Sequence, residues 1–220
     1  MTDEADSRGI LRDLRPLPPE LEFIKEDQHA RLASTDVDDF YGALETSPFI
    51  RIFHGTRDFK LHMIAEEGLK GFEEHKGWDP KVYVTVDPVL AARHAFYQGP
   101  HDTQRHRGSI SEESVTGDPV VLMIQVDKAW LRASPDSQKP LDIPFLVSIN
   151  PTELNENKRI TAFETLLRRD VKLLKRGDEL SDFGIAFPTD QIPPRFVYVV
   201  RPEGNIPIDQ YSVIPSQAVA

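Results

Sequence analysis

FIRIFHGTRDFKLHMIAEEGLKGF, residues 49–72, is followed after a gap by VYVTVD at residues 82–87, and the rest of the chain is organised around this stretch. Residues 49–53 are apolar except for Arg51 and read as a buried strand running into His54, Gly55 and Thr56. Asp58 then places a carboxylate where a helix would begin. Phe59, Met63 and Ile64 recur at helical spacing, and Gly68 supplies a left-handed stop. In residues 82–86, Val82, Val84 and Val86 alternate with Tyr83 and Thr85, which gives a strand one apolar face and puts Tyr83 on the other. Asp87-Pro88 is a helix start, the Asp capping and the Pro tolerated in the first turn. Leu90, Ala91, Ala95 and Phe96 line one side of that helix. A polar trio, His54, Gly55 and Tyr83, is thereby held against predicted core elements.

Working outward, residues 1–20 carry scattered charge and three prolines and read as a flexible arm, and residues 21–48 as a helical lead-in with its better helix over 36–44. Residues 101–119 are rich in Ser, Gly and charge and read as a loop. VVLMIQV, residues 120–126, is the most apolar run and reads as a central strand. Residues 145–149 suggest another strand, and apolar residues from Ile160 to Leu174 recur with helical period. Short strands over 183–187 and 196–200 are joined through Ile192-Pro193-Pro194, and everything past Pro202 reads as a loop-like tail. This gives a main domain over 49–202 and a tail over 203–220. Four to six short strands with three or four helices, without regular strand–helix alternation, indicate an α+β fold.

The totals exclude whole classes of chemistry. The 220 residues contain no cysteine, which removes disulfides, thiolate metal sites and thiol nucleophiles, and fits a reducing compartment. Acids outnumber bases 36 to 26, against a molecule that tracks nucleic acid with its whole surface. There is no apolar leader and no run of about 18 apolar residues, so the expectation is a soluble, cytoplasmic protein without a membrane partner. Walker, Rossmann and nucleophile-elbow motifs are absent.

A glycine after a buried strand lets its peptide meet a flat ligand, and its N–H and C=O can recognise a carboxamide as a donor–acceptor pair. An imidazole can bond a sugar hydroxyl, and a tyrosine ring offers a stacking surface. The ordered set FHGT, EEGL, VYVTVD, PVLAARHAF, PVVLMIQVD and QIPPRFVYV resembles the ADP-ribosyltransferase superfamily, in its His-Tyr branch of poly(ADP-ribose) polymerases, diphtheria-type toxins and RNA 2'-phosphotransferases. The resemblance spans about residues 49 to 200. It implies a split pair of antiparallel β-sheets flanked by helices and clasping NAD. His54 would contact the nicotinamide ribose, Gly55 would pair with the carboxamide, Thr56 would lie beside them, and Tyr83 would stack on the nicotinamide.

The family's third site residue is a glutamate opening the late strand. The matching position here is Gly184, or Ile185 if the turn is one residue shorter, and neither has a carboxylate. Asp182, two residues earlier on the same strand face as Gly184, is the candidate stabiliser of the cation, with Glu179 a more distant substitute. The resemblance therefore implies an NAD-dependent ADP-ribosyltransferase acting on a protein or nucleic-acid acceptor. An inactive NAD-, ADP-ribose- or protein-binding module of the same fold is the first alternative. An RNA 2'-phosphotransferase is the second, although the N-terminal arginine–histidine signature of those enzymes is missing from residues 1–45.

Other residues have plainer readings. His101 and His106 lack a third metal ligand at a convincing spacing, so no metal site is assigned. His94 stands where the family often has an aromatic and otherwise reads as helix surface. Residues 158–176 form the one locally basic element, either a solvated face or a docking surface for an acidic protein or a nucleic-acid target.

Overall fold

All nine residues of β1 (Phe49–Arg57) pair antiparallel with β4 (Pro119–Asp127), from Phe49 opposite Asp127 to Arg57 opposite Pro119. In the computed structural model the described residues are 17, 19–32, 47–71, 81–97, 117–138, 159–178, 180 and 184–211. β4 continues to β7 (Val197–Val199) and β7 to β8 (Ile206–Pro207), giving a four-stranded sheet in the order β1-β4-β7-β8. Two small antiparallel pairs complete the strands: β2 (Leu69–Lys70) with β6 (Gln191–Ile192), and β3 (Tyr83–Val84) with β5 (Ile185–Ala186). The helices are α1 (Glu22–Leu32), α2 (Leu61–Glu67), α3 (Pro88–Tyr97), α4 (Lys128–Ala133), α5 (Arg159–Lys175) and α6 (Ile208–Tyr211). The class is α+β, with antiparallel sheets and helices, as the strand and helix pattern predicts.

β4 is central because its sequence leaves it no solvent face: Val120 to Ile124 and Val126 are all buried. The periodic helix forms as α5, burying Ile160, Phe163, Leu166, Leu167 and Leu174, with Phe163 edge-on to Phe187 at 5.4 Å. α3 starts as its sequence predicts, the Asp87 carboxylate accepting from the Val89 N–H at 2.8 Å.

Several expectations are corrected. Asp58 caps nothing: residues Asp58–Lys60 form a 3-10 turn without a side-chain cap, and α2 begins after Lys60. The buried side of α2 is Leu61 and Ile64, which are three apart, while Phe59 and Met63 are 42% and 47% exposed. Thr85 is buried as well as the three valines, because β3 lies between other strands. Leu17 is buried in the main core, within the stretch expected to be an arm. Residues 203–211 are not all loop-like either: β8 adds to the sheet and Ile208 of α6 is fully buried. Two-residue strands such as β8 show no alternation, so periodicity could not find them. The described residues hold eight strands rather than four to six, and three sheets rather than a pair. The helix expected over 36–44 and the strand over 145–149 lie outside the described residues. No helix among the described residues is long and apolar enough to cross a membrane.

The Asp87 carboxylate, enclosed by α1 and the first turn of α3, also accepts from the Gln28 side-chain amide at 2.6 Å. Burial raises its pKa above the ordinary value, against the Val89 and Leu90 N–H groups and Gln28, which lower it. A raised folded-state pKa means the folded protein binds the proton more readily than the unfolded chain, so this group's contribution to stability rises as pH falls through that pKa. Asp87→Asn keeps an acceptor for the cap but removes the titration. The stability of wild type relative to Asp87→Asn, measured by urea unfolding across the acid range, is expected to grow as pH falls; a constant difference would remove Asp87 as the source.

Candidate functional site

β1 is bordered by β4 on one edge and by β3 on the other. On the β3 side one pair closes: the Phe53 N–H donates to the Thr85 carbonyl at 2.7 Å, and the Thr85 N–H donates back at 2.9 Å. The ladder then stops. Backbone groups alternate along a strand, so Phe53, Gly55 and Arg57 point their N–H and C=O toward the β3 edge, and His54 and Thr56 toward β4. The β4 pattern agrees, since the Val121 carbonyl faces the other way and accepts from the Val200 N–H at 3.0 Å. The Gly55 peptide is therefore presented at the place where β3 splays away from β1.

His54 holds that splay open. Had the ladder run on, the Tyr83 carbonyl would have taken the Gly55 N–H; instead it lies 2.8 Å from His54 Nδ1. A carbonyl only accepts, so Nδ1 carries the proton and donates, which makes Nε2 the acceptor of the neutral ring. Side chains opposite one another share a face, so Tyr83 and Thr85 start on the face of Phe53 and Gly55. His54 leaves on the other face, and its ring returns to the strand edge to meet Tyr83. His54, Gly55 and Tyr83, at the notch between β1 and β3, are all half-buried.

The rest of the site follows from packing. A Cβ built on Gly55 lands on the Ala91 carbonyl oxygen and lies 2.7 Å from the Ala95 N, so α3 rests its backbone directly on this glycine. Gly55 is thus required by the helix, and the peptide edge rather than the Cα is what faces the notch. Thr56 is not brought there. It is 6% exposed and lies opposite Val120 of β4.

β5 brings the matching late strand beside β3. Tyr83 pairs with Ala186, and a Cβ on Gly184 would stand 3.2 Å from the Tyr83 Cβ. The position without its carboxylate therefore does abut Tyr83, while Asp182 and Glu179 lie outside the described residues. His101 and His106 lie outside them too.

Sequence reasoning did not anticipate Arg57. Its guanidinium donates to the Phe96 carbonyl at 2.8 Å and the Gly117 carbonyl at 2.7 Å, tying the end of α3 to the approach to β4, three residues from His54. An arginine in a run of polar residues carries no sequence signal for such a role. Among the described residues the buried His94 Nε2 has no hydrogen-bond partner, so it is not simply helix surface.

Compared with known protein families, curated proteins and solved structures, the chain matches none.

Proposed function

We propose that this chain is an ADP-ribosyltransferase-like protein that takes NAD at the notch between β1 and β3. The observation that carries the reading is the unladdered Gly55 peptide beside an oriented imidazole and a tyrosine, all three half-buried. The Gly55 N–H donates to the oxygen of a nicotinamide carboxamide, and the Gly55 C=O accepts from its NH₂. His54 Nε2 accepts from a ribose hydroxyl, and the Tyr83 ring covers the nicotinamide face. Holding the two rings in place favours breaking the nicotinamide–ribose bond, with nicotinamide leaving and the ribose C1' captured by a hydroxyl or amine of an acceptor. The acceptor is a protein or nucleic acid in this reading.

A second reading is favoured by Gly184. The position beside Tyr83 has no carboxylate to stabilise the cation, so the same notch would hold NAD or ADP-ribose without turnover. One experiment separates the two: purified protein is mixed with NAD, nicotinamide release is followed by chromatography, and binding is followed by calorimetry. Release supports transfer. Saturable heat without release selects the binding module, and neither signal at millimolar NAD would sink both.

A further inference from the structure

Alternation along β1 puts the side-chain positions of Phe53, Gly55 and Arg57 on one face of the sheet. α3 lies across that face. At Gly55 the Ala91 carbonyl and the Ala95 N stand where a Cβ would be, and one residue further on the Phe96 carbonyl accepts from the Arg57 guanidinium at 2.8 Å. Phe96 is in the last turn of α3, where carbonyls have no amide of their own helix to bond. A cationic donor there meets an unfilled acceptor and the negative end of the helix dipole. The same guanidinium donates to the Gly117 carbonyl at 2.7 Å. Gly117 is itself tightly seated, since a Cβ on it would strike the Asp58 Oδ1 and lie 2.7 Å from the Phe59 Cδ1.

α3 is thus held at both ends by different means. At its start, the Asp87 N–H donates to the Thr85 hydroxyl at 3.0 Å, and Thr85 is paired with Phe53. At its end, Arg57 ties it to β1. β3 runs into α3 through Thr85, Val86 and Asp87, so a tilt of α3 on β1 carries Tyr83 with it. The Tyr83 carbonyl meets His54 Nδ1 at 2.8 Å, and a displacement of about half an ångström is enough to weaken such a bond. Two carbonyls from separate segments suit the planar fork of a guanidinium, whereas an ammonium is a single-point donor.

We propose that Arg57 is a positioning residue for the notch: by latching the end of α3 to β1, it sets the separation of β1 and β3 at which His54 Nδ1 meets the Tyr83 carbonyl. Its effect on nicotinamide release rests on the NAD reading of the notch, whereas its effect on the His54–Tyr83 bond does not.

The test compares the full chain as wild type, R57K and R57Q. Without NAD, the His54 tautomer is read from its ring ¹⁵N shifts, and amide hydrogen exchange is followed residue by residue. Wild type is expected to carry the proton on Nδ1. R57Q is expected to mix the tautomers and to quicken exchange of the Phe53 and Thr85 amides, which bond β1 to β3, by about tenfold or more. The Ile52, His54 and Thr56 amides, which face β4, are expected to keep their protection, a contrast that general destabilisation would not give. R57K keeps the charge and one bond, so it should retain Nδ1–H while the Phe53 and Thr85 amides exchange faster. With NAD, kcat is expected to fall about tenfold or more in R57Q and less in R57K, because a misplacement of about 1 Å can cost about 10²-fold. A wild-type tautomer with the proton on Nε2, a tautomer unchanged in R57Q, or exchange quickened equally on the β4 side would each overturn the proposal. If R57Q does not fold, unchanged Phe53 and Thr85 exchange in R57K does so. Absence of NAD binding and turnover in wild type would sink the reading of the notch, and the spectra would still decide on Arg57.

Discussion

Replacing Gly55 by alanine is expected to cost about 3 kcal/mol or more and to lower the urea midpoint sharply, with the slope of the transition unchanged. The added methyl meets the Ala91 carbonyl oxygen and the Ala95 N, which are backbone atoms that no side-chain rotation can clear. α3 would have to lift off β1, opening the contact that buries Phe53, Ala91, Ala92 and Ala95. Overpacking in a core usually costs about 1–3 kcal/mol, and backbone obstacles belong at or past the upper end. For a domain stable by about 5–15 kcal/mol this is a large fraction. A variant within about 1 kcal/mol of wild type would show that α3 does not bear on Gly55 as described.

The second large effect concerns His54. Its Nδ1 donates to the Tyr83 carbonyl, and in the proposed role its Nε2 meets the ribose. His54→Ala is therefore expected to cost about 1–3 kcal/mol of stability through the carbonyl left without its donor. Nicotinamide release from NAD is expected to fall at least tenfold in the variant while it remains folded. His54→Asn is the discriminating partner. Its shorter side chain keeps a donor but cannot hold both positions, so it should recover stability more than turnover. Release unchanged in His54→Ala would remove the histidine from the proposed role, whatever the stability change.

Much of the frame was legible because its signals are local and periodic. β4 is apolar on both faces, α5 repeats its core residues with helical period, and Asp87-Pro88 marks the start of α3 by backbone chemistry alone. What failed did so for tertiary reasons. Asp58 has the right residue type for a cap, but the chain enters a 3-10 turn there and its N–H bonds the Asp118 carbonyl. Phe59 and Met63 are apolar and correctly spaced, yet α2 turns Leu61 and Ile64 inward. β8 and α6 escaped notice because two to four residues carry no period.

The proximity of the candidate residues was legible more than their geometry. His54, Gly55 and Tyr83 converge where the sequence places them, on strands about thirty residues apart along the chain. The reason for the glycine differs from the one the sequence suggests, since a helix rather than a ligand occupies its Cα. Thr56 is buried opposite Val120 of β4, on the sheet face that His54 leaves from. The tautomer of His54 and the bond that sets it depend on where β1 and β3 part, and no local pattern encodes that.

The most direct test of the account follows the Gly55 amide itself. In a titration of ¹⁵N-labelled protein with nicotinamide and then with NAD, the Gly55 amide resonance is expected to move saturably, downfield as it gains an acceptor, with Tyr83 and its neighbours moving in step. Saturable shifts confined to residues away from β1 and β3, or none at all at millimolar ligand, would contradict a nicotinamide site at this notch.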